Sequence, residues 1–356
     1  MIVPVLKKHL KETPRMEPQD AVKLAYQSAY GCGHLLPARE RVVEMLRREL
    51  AQTAVSDAPV YTPIGNGLCR LNLASPVVHA LDPEWIWRMM VLTDRRVRTR
   101  TDNDERFQSV AEAFMRLAEK GETGFSPQAL RAYLDGYGHE AVSHTETYRQ
   151  CYQPAYRVVL EDCALLAQTL VSMQQGKKLV VFDGPCGCGK TTLAGVLGEL
   201  CHTTPIPMDD FFLPPDMRTP ERLGEPGGNV HRERFLSEVL ESLPGEIRWQ
   251  RFDCGTGSML ARSLPRTEYM IIEGSYSHHP FFRRRLEELN ALRVFVQVDA
   301  GEQLRRIAGR DPELVGMFQS RWIPLEKTYF EAYDIRGGAD VVIHSPTSAL
   351  GEERQR

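Results

Sequence analysis

Residues 184–191 read GPCGCGKT, and they decide the fold of the second half of this 356-residue chain. The stretch fits the pattern G-x-x-x-x-G-K-[ST] and stands between a predicted strand, residues 179–182, and a predicted helix, residues 190–201. Glycines let backbone N–H groups converge on an anion, and a helix N-terminus adds partial positive charge. The sequence therefore predicts a phosphate-binding loop, called the P-loop below.

The side chains of the P-loop indicate which ligand it would hold. Lys190 would reach the β- and γ-phosphates of ATP and stabilise them during transfer, and the Thr191 hydroxyl would ligate Mg2+. Cys186 fills a variable position where a small side chain fits; a redox-sensitive thiol is the alternative, as it is for the second cysteine of the loop. The other predicted nucleotide-binding residues are Gly184, Gly187, Cys188, Gly189 and Thr192.

The P-loop is set in an alternation of strands and helices. From Lys178 onward, short apolar runs rich in β-branched residues alternate with amphipathic stretches. Such strands, buried on both faces and separated by helices, indicate a parallel sheet in an α/β domain. We expect a P-loop NTPase sheet flanked by helices over residues 176–356. The further predicted strands are 270–272, 292–298 and 341–343, and the further predicted helices are 231–243, 281–290 and 301–331.

Residues 1–175 have a different, mainly helical pattern. Apolar residues recur there at spacings of three and four, which is typical of amphipathic helices. Residues 61–67, YTPIGNG, have the composition of a loop. We therefore expect a mainly α-helical accessory domain, residues 1–175, before the P-loop domain, residues 176–356. The helices predicted in it are 16–30, 39–52, 83–101, 104–119 and 155–175.

Composition limits the class of protein. Hydrophobic residues make up 42% and charged residues 26%, which excludes disorder throughout. With 44 basic and 47 acidic side chains, the chain does not suggest a large basic surface for nucleic acid. No apolar run is long enough for a membrane span or a signal peptide, and eight cysteines are too few for a disulfide framework. The expected partner is a small molecule in the reducing cytoplasm, without nucleic acid or membrane.

Acidic residues are predicted at the same edge of the sheet as the P-loop. The apolar run 205–208 ends in Asp209 and Asp210, where a second parallel strand should finish. Because ligands of open α/β sheets collect beyond the carboxyl ends of strands, these carboxylates would face the phosphates. Either could accept a proton from an attacking hydroxyl or hold Mg2+ through water; a helix cap or a solvated turn is the alternative.

Further motifs follow the P-loop in a recognisable order. They are MDDFF at 208–212, MIIEG at 270–274, the arginines at 305–306 with Arg310-Asp311, and ADVVI at 339–343. With the P-loop, they make residues 178–344 resemble the uridine kinase, phosphoribulokinase and nicotinamide riboside kinase family of small-molecule P-loop kinases. MDDFF is similar to the acidic-aromatic motif of that family, MIIEG to its second acidic strand end, the arginines to its lid, and ADVVI to its closing strand.

The resemblance implies an ATP- and Mg2+-dependent kinase that phosphorylates a hydroxyl of a nucleoside or sugar-like metabolite. It implies Asp209 as general base, also near the metal, and Glu273 with Thr191 as organisers of Mg2+. Arg306 and Arg310 would close over the transferring phosphoryl group and neutralise its charge. An acidic turn for Glu273 and a solvated helix face for the arginines are the alternatives.

The residues expected to bind the acceptor depart from the uridine kinase pattern. His231 stands where the family reads sugar hydroxyls with a carboxylate, and His278 and His279 follow the second acidic strand end in place of an apolar and aromatic run. With Asp210, these histidines are the predicted substrate-binding residues. They suit a phosphate-, carboxylate- or polyol-bearing acceptor at least as well as a nucleobase; structural roles for each histidine are equally open.

The role of the first half remains open at the level of sequence. Cys32 and His34 could share a metal or form a nucleophile pair, but a glycine turn followed by a packed histidine is the favoured interpretation. The domain could bind an effector, complete the kinase pocket, form a homodimer or catalyse a second reaction. In the rival class, the chain is a nucleotide-binding regulator whose ATP state controls this domain.

Overall fold

The structure is a computed structural model that describes residues 2–36, 38–253 and 256–346. The end of the predicted P-loop domain, residues 347–356, lies outside the described residues. Contacts divide the described chain between Ala167 and Gln168 into two units. We refer to them as the N-terminal unit and the P-loop unit.

The N-terminal unit is built mainly from helices whose ends carry local signals. Helix 18–30 has a capping box, in which Asp20 accepts a hydrogen bond from the Glu17 N–H at 3.1 Å. The helix after Asp82 begins with a proline, and the Asp82 side chain accepts from the Glu84 N–H at 2.8 Å. The helices are α1 (Val3–Glu12), α2 (Pro18–Tyr30), α3 (Arg39–Gln52), α4 (Pro76–His79), α5 (Pro83–Arg98), α6 (Asn103–Glu119), α7 (Pro127–Asp135), α8 (Glu146–Tyr152) and α9 (Glu161–Leu165).

These bounds confirm four of the five helices predicted in this half. The fifth prediction, a helix over 155–175, is wrong at its start, because Tyr156–Leu160 forms a strand before α9 and α10 (Ala167–Gln174). The prediction of a loop over 61–67 is also wrong, because Tyr61–Gly65 is a strand. Only the end of that stretch is a turn, built on residues 66 and 67 with φ of 56° and 71°.

A three-stranded antiparallel sheet therefore belongs to the N-terminal unit. Its strands are β1 (Tyr61–Gly65), β2 (Leu68–Asn72) and β3 (Tyr156–Leu160), in the order β1-β2-β3. Leu68 pairs with Leu160, so a strand far along the chain completes the hairpin. Periodicity missed β3 because its five residues run directly into helices, and a short apolar run does not distinguish the two states.

The P-loop unit contains a five-stranded parallel sheet, which confirms the predicted fold class. Its strands lie in the order β10-β9-β4-β8-β5. The chain passes from the central strand β4 to the edge, returns through β8, and then builds the other side with β9 and β10. The strands are β4 (Leu179–Asp183), β5 (Ile206–Pro207), β8 (Met270–Glu273), β9 (Leu292–Gln297) and β10 (Val341–His344).

Helices and a hairpin surround this sheet. The segment predicted as one helix over 301–331 is broken at Asp311-Pro312, because proline cannot continue a helix that begins before it. A two-stranded hairpin, β6 (Ile247–Asp253) and β7 (Ser258–Leu264), was not predicted. The remaining helices are α11 (Lys190–Cys201), α12 (Pro220–Gly224), α13 (Arg232–Phe235), α14 (Arg283–Glu288), α15 (Ala300–Arg310), α16 (Val315–Met317) and α17 (Ile323–Ala332).

The apolar core of the P-loop unit fixes the strand ends that carry the candidate site. Val181 of β4, Ile206 of β5 and Ile272 of β8 are completely buried in one cluster. Phe211 and Phe235 pack edge to face in the same cluster, with ring centroids 5.1 Å apart. This packing holds the short segment after β5 against the sheet. Among the described residues, no helix combines the length and apolar character that a bilayer crossing requires.

Candidate active site

The P-loop leaves the central strand β4 through a backbone turn that requires glycine. Gly184 has φ of 143°, and a Cβ atom there would lie 2.2 Å from the carbonyl oxygen of Val296 in β9. Gly187 and Gly189 also have positive φ, 72° and 97°. Because side chains are strained in these conformations, the glycine pattern fixes a loop whose backbone wraps around the start of α11. This is the arrangement predicted from the sequence.

A buried carboxylate that the sequence analysis missed holds the start of the loop. Asp183, completely buried at the end of β4, accepts from the Gly184 N–H at 2.7 Å. It also accepts from the N–H groups of Tyr276 and His278 at 3.2 and 2.9 Å, and from the Tyr329 hydroxyl at 2.8 Å. Four donors saturate this carboxylate, so it ties β4, the segment after β8 and α17 together. The position of Asp183 directly before Gly184 is the sequence feature that could have indicated this role.

Lys190 lies at the centre of the loop with its charge preserved. Its Nζ donates to the carbonyls of Gly184 and Pro185 at 2.7 and 2.9 Å, and the side chain is buried. Burial alone would lower the pKa of Lys190, but Cys188 and then the carboxylates of Glu326 and Asp183 outweigh it and raise the pKa. The ammonium group is therefore a fixed positive charge inside the loop.

Thr191 and Glu273 meet directly across the sheet edge. The Thr191 hydroxyl donates to Glu273 Oε2 at 3.0 Å. Glu273 ends β8, where it pairs with Phe182 of β4 on one side and Pro207 of β5 on the other. Burial raises the pKa of Glu273, and the charge of Asp209 raises it further. The hydroxyl and carboxylate predicted to organise Mg2+ are thus brought together.

Asp209 follows β5 and lies near Glu273 at the same edge of the sheet. It is exposed to solvent, and no described residue donates a hydrogen bond to its carboxylate. Desolvation by the protein around it raises the pKa of Asp209, while the charges of Lys190 and Arg310 lower it and Asp210 raises it. A carboxylate that is free of partners and has a raised pKa is suited to accept a proton.

Asp210 has a different environment from its neighbour. Its Oδ2 accepts from Trp249 Nε1 at 2.7 Å, and its Oδ1 lies 3.6 Å from Arg251 Nε. Both partners belong to β6. Asp210, predicted to bind substrate, therefore connects the segment after β5 to the hairpin.

The two predicted lid arginines make different contacts. Arg306 donates through Nη1 to the Cys188 carbonyl at 3.2 Å and to Ser345 Oγ at 2.9 Å. It therefore contacts the carbonyl side of the P-loop. Arg310 is more than half exposed, donates to Asp311 Oδ2 at 2.6 Å, and is the arginine whose charge is felt by Asp209.

The three predicted substrate histidines all make hydrogen bonds to the backbone. His231 accepts from the Arg234 N–H at 3.4 Å and caps α13. His278 Nε2 bonds the Val181 carbonyl at 2.9 Å, and His279 Nε2 bonds a carbonyl at residue 226, 3.2 Å away. Burial lowers the pKa of both His278 and His279. Their role in binding substrate stays a prediction.

Glu326 on α17 is the second important residue that sequence reasoning missed. Its carboxylate accepts from the Cys186 N–H at 2.9 Å and from the Ser275 hydroxyl at 2.7 Å. Ser275 is also 3.0 Å from the Gly184 carbonyl. Burial, followed by the charge of Glu326, raises the pKa of the Cys186 thiol to about 12. This favours the interpretation of Cys186 as a small structural residue over that of a redox sensor.

A cavity of about 220 Å³ opens beside the P-loop at the carboxyl ends of β9 and β10. Ser345 and Gln297 line it, and Arg306 contacts Ser345 from the loop side. The Gln297 side-chain oxygen is buried and has no hydrogen-bond partner among the described residues. A free acceptor next to a phosphate loop suits the amino group of a nucleobase.

The carboxylates at this edge do not form a complete metal cage. Among the described residues, no group of three or more His, Cys, Asp or Glu side chains could hold a metal ion by itself. Mg2+ needs no such cage, since it usually keeps several waters and takes one or two protein ligands together with substrate phosphates. Thr191 and Glu273, with Asp209 nearby, therefore fit Mg2+ in the presence of a nucleotide.

Comparison with known proteins gives similarity at the level of folds. No family model and no curated protein matches the chain. A solved structure described as a possible uridine kinase from Bacillus stearothermophilus is 19% identical, over 47% of this chain and 89% of that one, with a TM-score of 0.37. A protein from a Silicibacter species, described provisionally as a fructose transport system kinase, is 21% identical over 48% and 90%, with a TM-score of 0.38.

Both similarities cover about half of the chain, as does the resemblance in the sequence. The coordinates themselves supply the structural conclusion. A parallel sheet whose central strand leads through GPCGCGKT into α11 identifies the P-loop unit as a P-loop α/β domain.

Proposed function

We propose that the chain is an ATP- and Mg2+-dependent phosphotransferase that phosphorylates a hydroxyl group of a small nucleoside or sugar-like metabolite. The observation that carries the proposal is the convergence of Lys190, Thr191, Glu273 and Asp209 at one edge of the sheet. This set combines a phosphate-binding cation, a metal-binding pair and a free base. A P-loop protein that only binds nucleotide does not need a free base such as Asp209.

The nucleotide would be held by the loop and by the cavity beside it. Backbone N–H groups of the P-loop and the N-terminus of α11 attract the phosphates. Lys190 keeps its proton because its pKa is raised, so its charge is available to the β- and γ-phosphates throughout the reaction. The base would occupy the cavity lined by Gln297 and Ser345, where the unpartnered oxygen of Gln297 would accept from its amino group.

Thr191 and Glu273 would hold the metal ion. The Thr191 hydroxyl already points at Glu273, so the pair requires little rearrangement to offer oxygen ligands directly or through water. When bound, Mg2+ would neutralise negative charge on the phosphate oxygens.

Asp209 would position the acceptor hydroxyl and take its proton. Its raised pKa makes it a better base than an ordinary aspartate, and solvent exposure leaves it open to the acceptor. Arg310 is the better placed of the two predicted lid arginines, because its charge reaches Asp209 while Arg306 is bound to loop carbonyls. The acceptor would thus enter between the segment after β5 and the end of α15.

A panel of metabolites incubated with ATP and Mg2+ tests the proposal. We expect ADP release together with the gain of one phosphoryl group on one acceptor, measured by mass spectrometry. ATP binding without any phosphorylated small product would instead favour a nucleotide-dependent regulator.

A further inference from the structure

Lys23 on α2 and Arg70 on β2 are two basic residues of the N-terminal unit that form no ion pair with a carboxylate of the described residues. We propose that Lys23 and Arg70 form an oxyanion-binding site, which takes the carboxylate or phosphate group of a small, ring-bearing metabolite. This site is separate from the P-loop and gives the N-terminal unit a ligand of its own.

Arg70 provides the buried half of the charge. Its side chain is only 5% exposed on β2. Its guanidinium donates to Gln27 Oε1 at 3.2 and 2.9 Å and to the Tyr148 hydroxyl at 3.3 Å, and it lies 4.5 Å from the ring centre of Tyr156. All these partners are neutral, and within the described ranges no carboxylate forms an ion pair with Arg70. A buried charge without an opposite charge is costly, so the site favours an incoming anion.

Lys23 provides the accessible half. It precedes Gln27 by one turn of α2, and its Nζ donates to the Val142 carbonyl at 2.6 Å. Lys23 is only partly buried, in contrast to Arg70. Lys23 and Gln27 are i and i+4 neighbours on one face of α2, and Gln27 accepts from Arg70, so the two cations lie on either side of Gln27. In agreement, burial and then the charge of Arg70 lower the pKa of Lys23 to about 8. An oxyanion would relieve this repulsion.

Asp20, the nearby carboxylate, is already saturated. It accepts from the Thr145 N–H and hydroxyl at 3.0 and 2.7 Å, from the Glu17 N–H at 3.1 Å, and bonds His144 Nδ1 at 2.8 Å. Its charge raises the pKa of Lys23, but less than burial and Arg70 lower it. Burial lowers the pKa of His144 to about 4, so this histidine is neutral near pH 7. Asp20 is thus committed to Thr145, Glu17 and His144, and forms no ion pair with Lys23 or Arg70.

Aromatic rings beside Lys23 indicate the rest of the ligand. Tyr26 and Tyr30 follow Lys23 on the same face of α2, with ring centroids 4.9 Å apart. His34 packs edge to face on Tyr26 at 5.7 Å, and its pKa is lowered by burial and by the charge of Lys23. All three side chains are partly or largely exposed. A flat ring attached to the oxyanion can therefore stack beside the ammonium group.

Calorimetric titration of the full-length protein tests this site. Phenyl phosphate, benzoate, inorganic phosphate and acetate are the probes, and Lys190→Met is present throughout so that the P-loop does not contribute to phosphate binding. We expect phenyl phosphate to bind more tightly than inorganic phosphate, or benzoate to bind more tightly than acetate. The comparison between the two pairs shows whether phosphate or carboxylate is preferred.

Adding Lys23→Met should weaken binding of the preferred probe by about ten- to a hundredfold, since one charge-assisted hydrogen bond is lost. Lys23→Arg should retain it, and Lys8→Met, an exposed lysine on α1, is the matched control. Circular dichroism verifies that each variant is folded. If no probe binds more tightly than about 1 mM, or if Lys23→Met binds as Lys8→Met does, the proposal is wrong.

Discussion

Glu326 accepts a hydrogen bond from the backbone N–H of Cys186 at 2.9 Å, although 140 residues separate them in sequence. The carboxylate is buried and also accepts from the Ser275 hydroxyl. One donor of the P-loop is therefore satisfied by the protein itself, and a negative charge lies beside the place where phosphates would bind. Glu326 both fixes the loop and opposes the charge of the nucleotide.

Replacing Glu326 separates these two effects. Glu326→Gln keeps an oxygen acceptor for Cys186 but removes the charge, so we expect ATP to bind roughly tenfold more tightly. Glu326→Ala leaves the Cys186 N–H and the Ser275 hydroxyl without their partner, and should lower the free energy of unfolding by about 1–3 kcal/mol. Calorimetry and chemical denaturation measure the two quantities. Equal or weaker ATP binding in Glu326→Gln would show that the charge does not oppose the nucleotide.

Asp209→Asn tests the proposed base. Asparagine cannot accept the proton of the acceptor hydroxyl, while the P-loop is unchanged, so kcat should fall by about 10²–10⁴-fold with ATP affinity retained. Asp216→Asn, at an exposed aspartate in the next turn of the chain, is the matched control and should keep full activity. Turnover by Asp209→Asn within about threefold of the wild type would exclude a role in proton transfer.

The same substitution has a predicted effect on stability. The pKa of Asp209 is raised by desolvation in the folded state, so the folded protein binds a proton more readily than the unfolded chain. Stability therefore increases as the pH falls through the native pKa and is lowest where Asp209 is fully ionised. Asp209→Asn should be more stable than the wild type near pH 7, and the difference should shrink toward about pH 4. Denaturant titrations at several pH values measure it; a difference that grows on acidification contradicts the prediction.

The sequence could predict the site residues that strand ends position, but not those positioned by contacts between distant parts of the chain. The placement of Lys190, Thr191, Asp209 and Glu273 was predictable, because each lies at or after the carboxyl end of a strand and parallel strands end at one edge of the sheet. Glu326 was not, because nothing near it in the sequence shows that α17 packs against the P-loop. A carboxylate on a helix is usually solvated, and only the fold reveals the exception.

The same contrast applies to the fold. The parallel strands of the P-loop unit were predictable because each is a continuous apolar run. Strands β1, β2 and β3 were all missed, since β1 contains Pro63 and ends at Gly65, β2 is only five residues long, and β3 runs directly into α9. Their pairing with one another stabilises them through contacts that local composition does not encode.

Glu273→Gln tests the metal-binding pair. The amide keeps the size of the side chain and can still contact the Thr191 hydroxyl, but it has no negative charge for Mg2+. We expect the Mg2+ concentration that gives half-maximal activity to increase by about ten- to a hundredfold, with activity recovered at high Mg2+. Glu268→Gln, which changes an exposed carboxylate before β8, is the control. An unchanged Mg2+ requirement in Glu273→Gln would remove Glu273 from the metal site.

The two cysteines of the P-loop should be poor nucleophiles. Burial and the charge of Glu326 raise the pKa of the Cys186 thiol to about 12, and burial also raises the pKa of Cys188. Because the thiolate is the reactive form, iodoacetamide should modify the exposed Cys151 at least about a hundredfold faster than either of them near pH 7. Peptide mass spectrometry over time measures the rates. Glu326→Gln should increase the reactivity of Cys186, because it removes the carboxylate charge that, with burial, raises the pKa of the thiol. Rapid modification of Cys186 in the wild type would instead support a redox-sensitive loop.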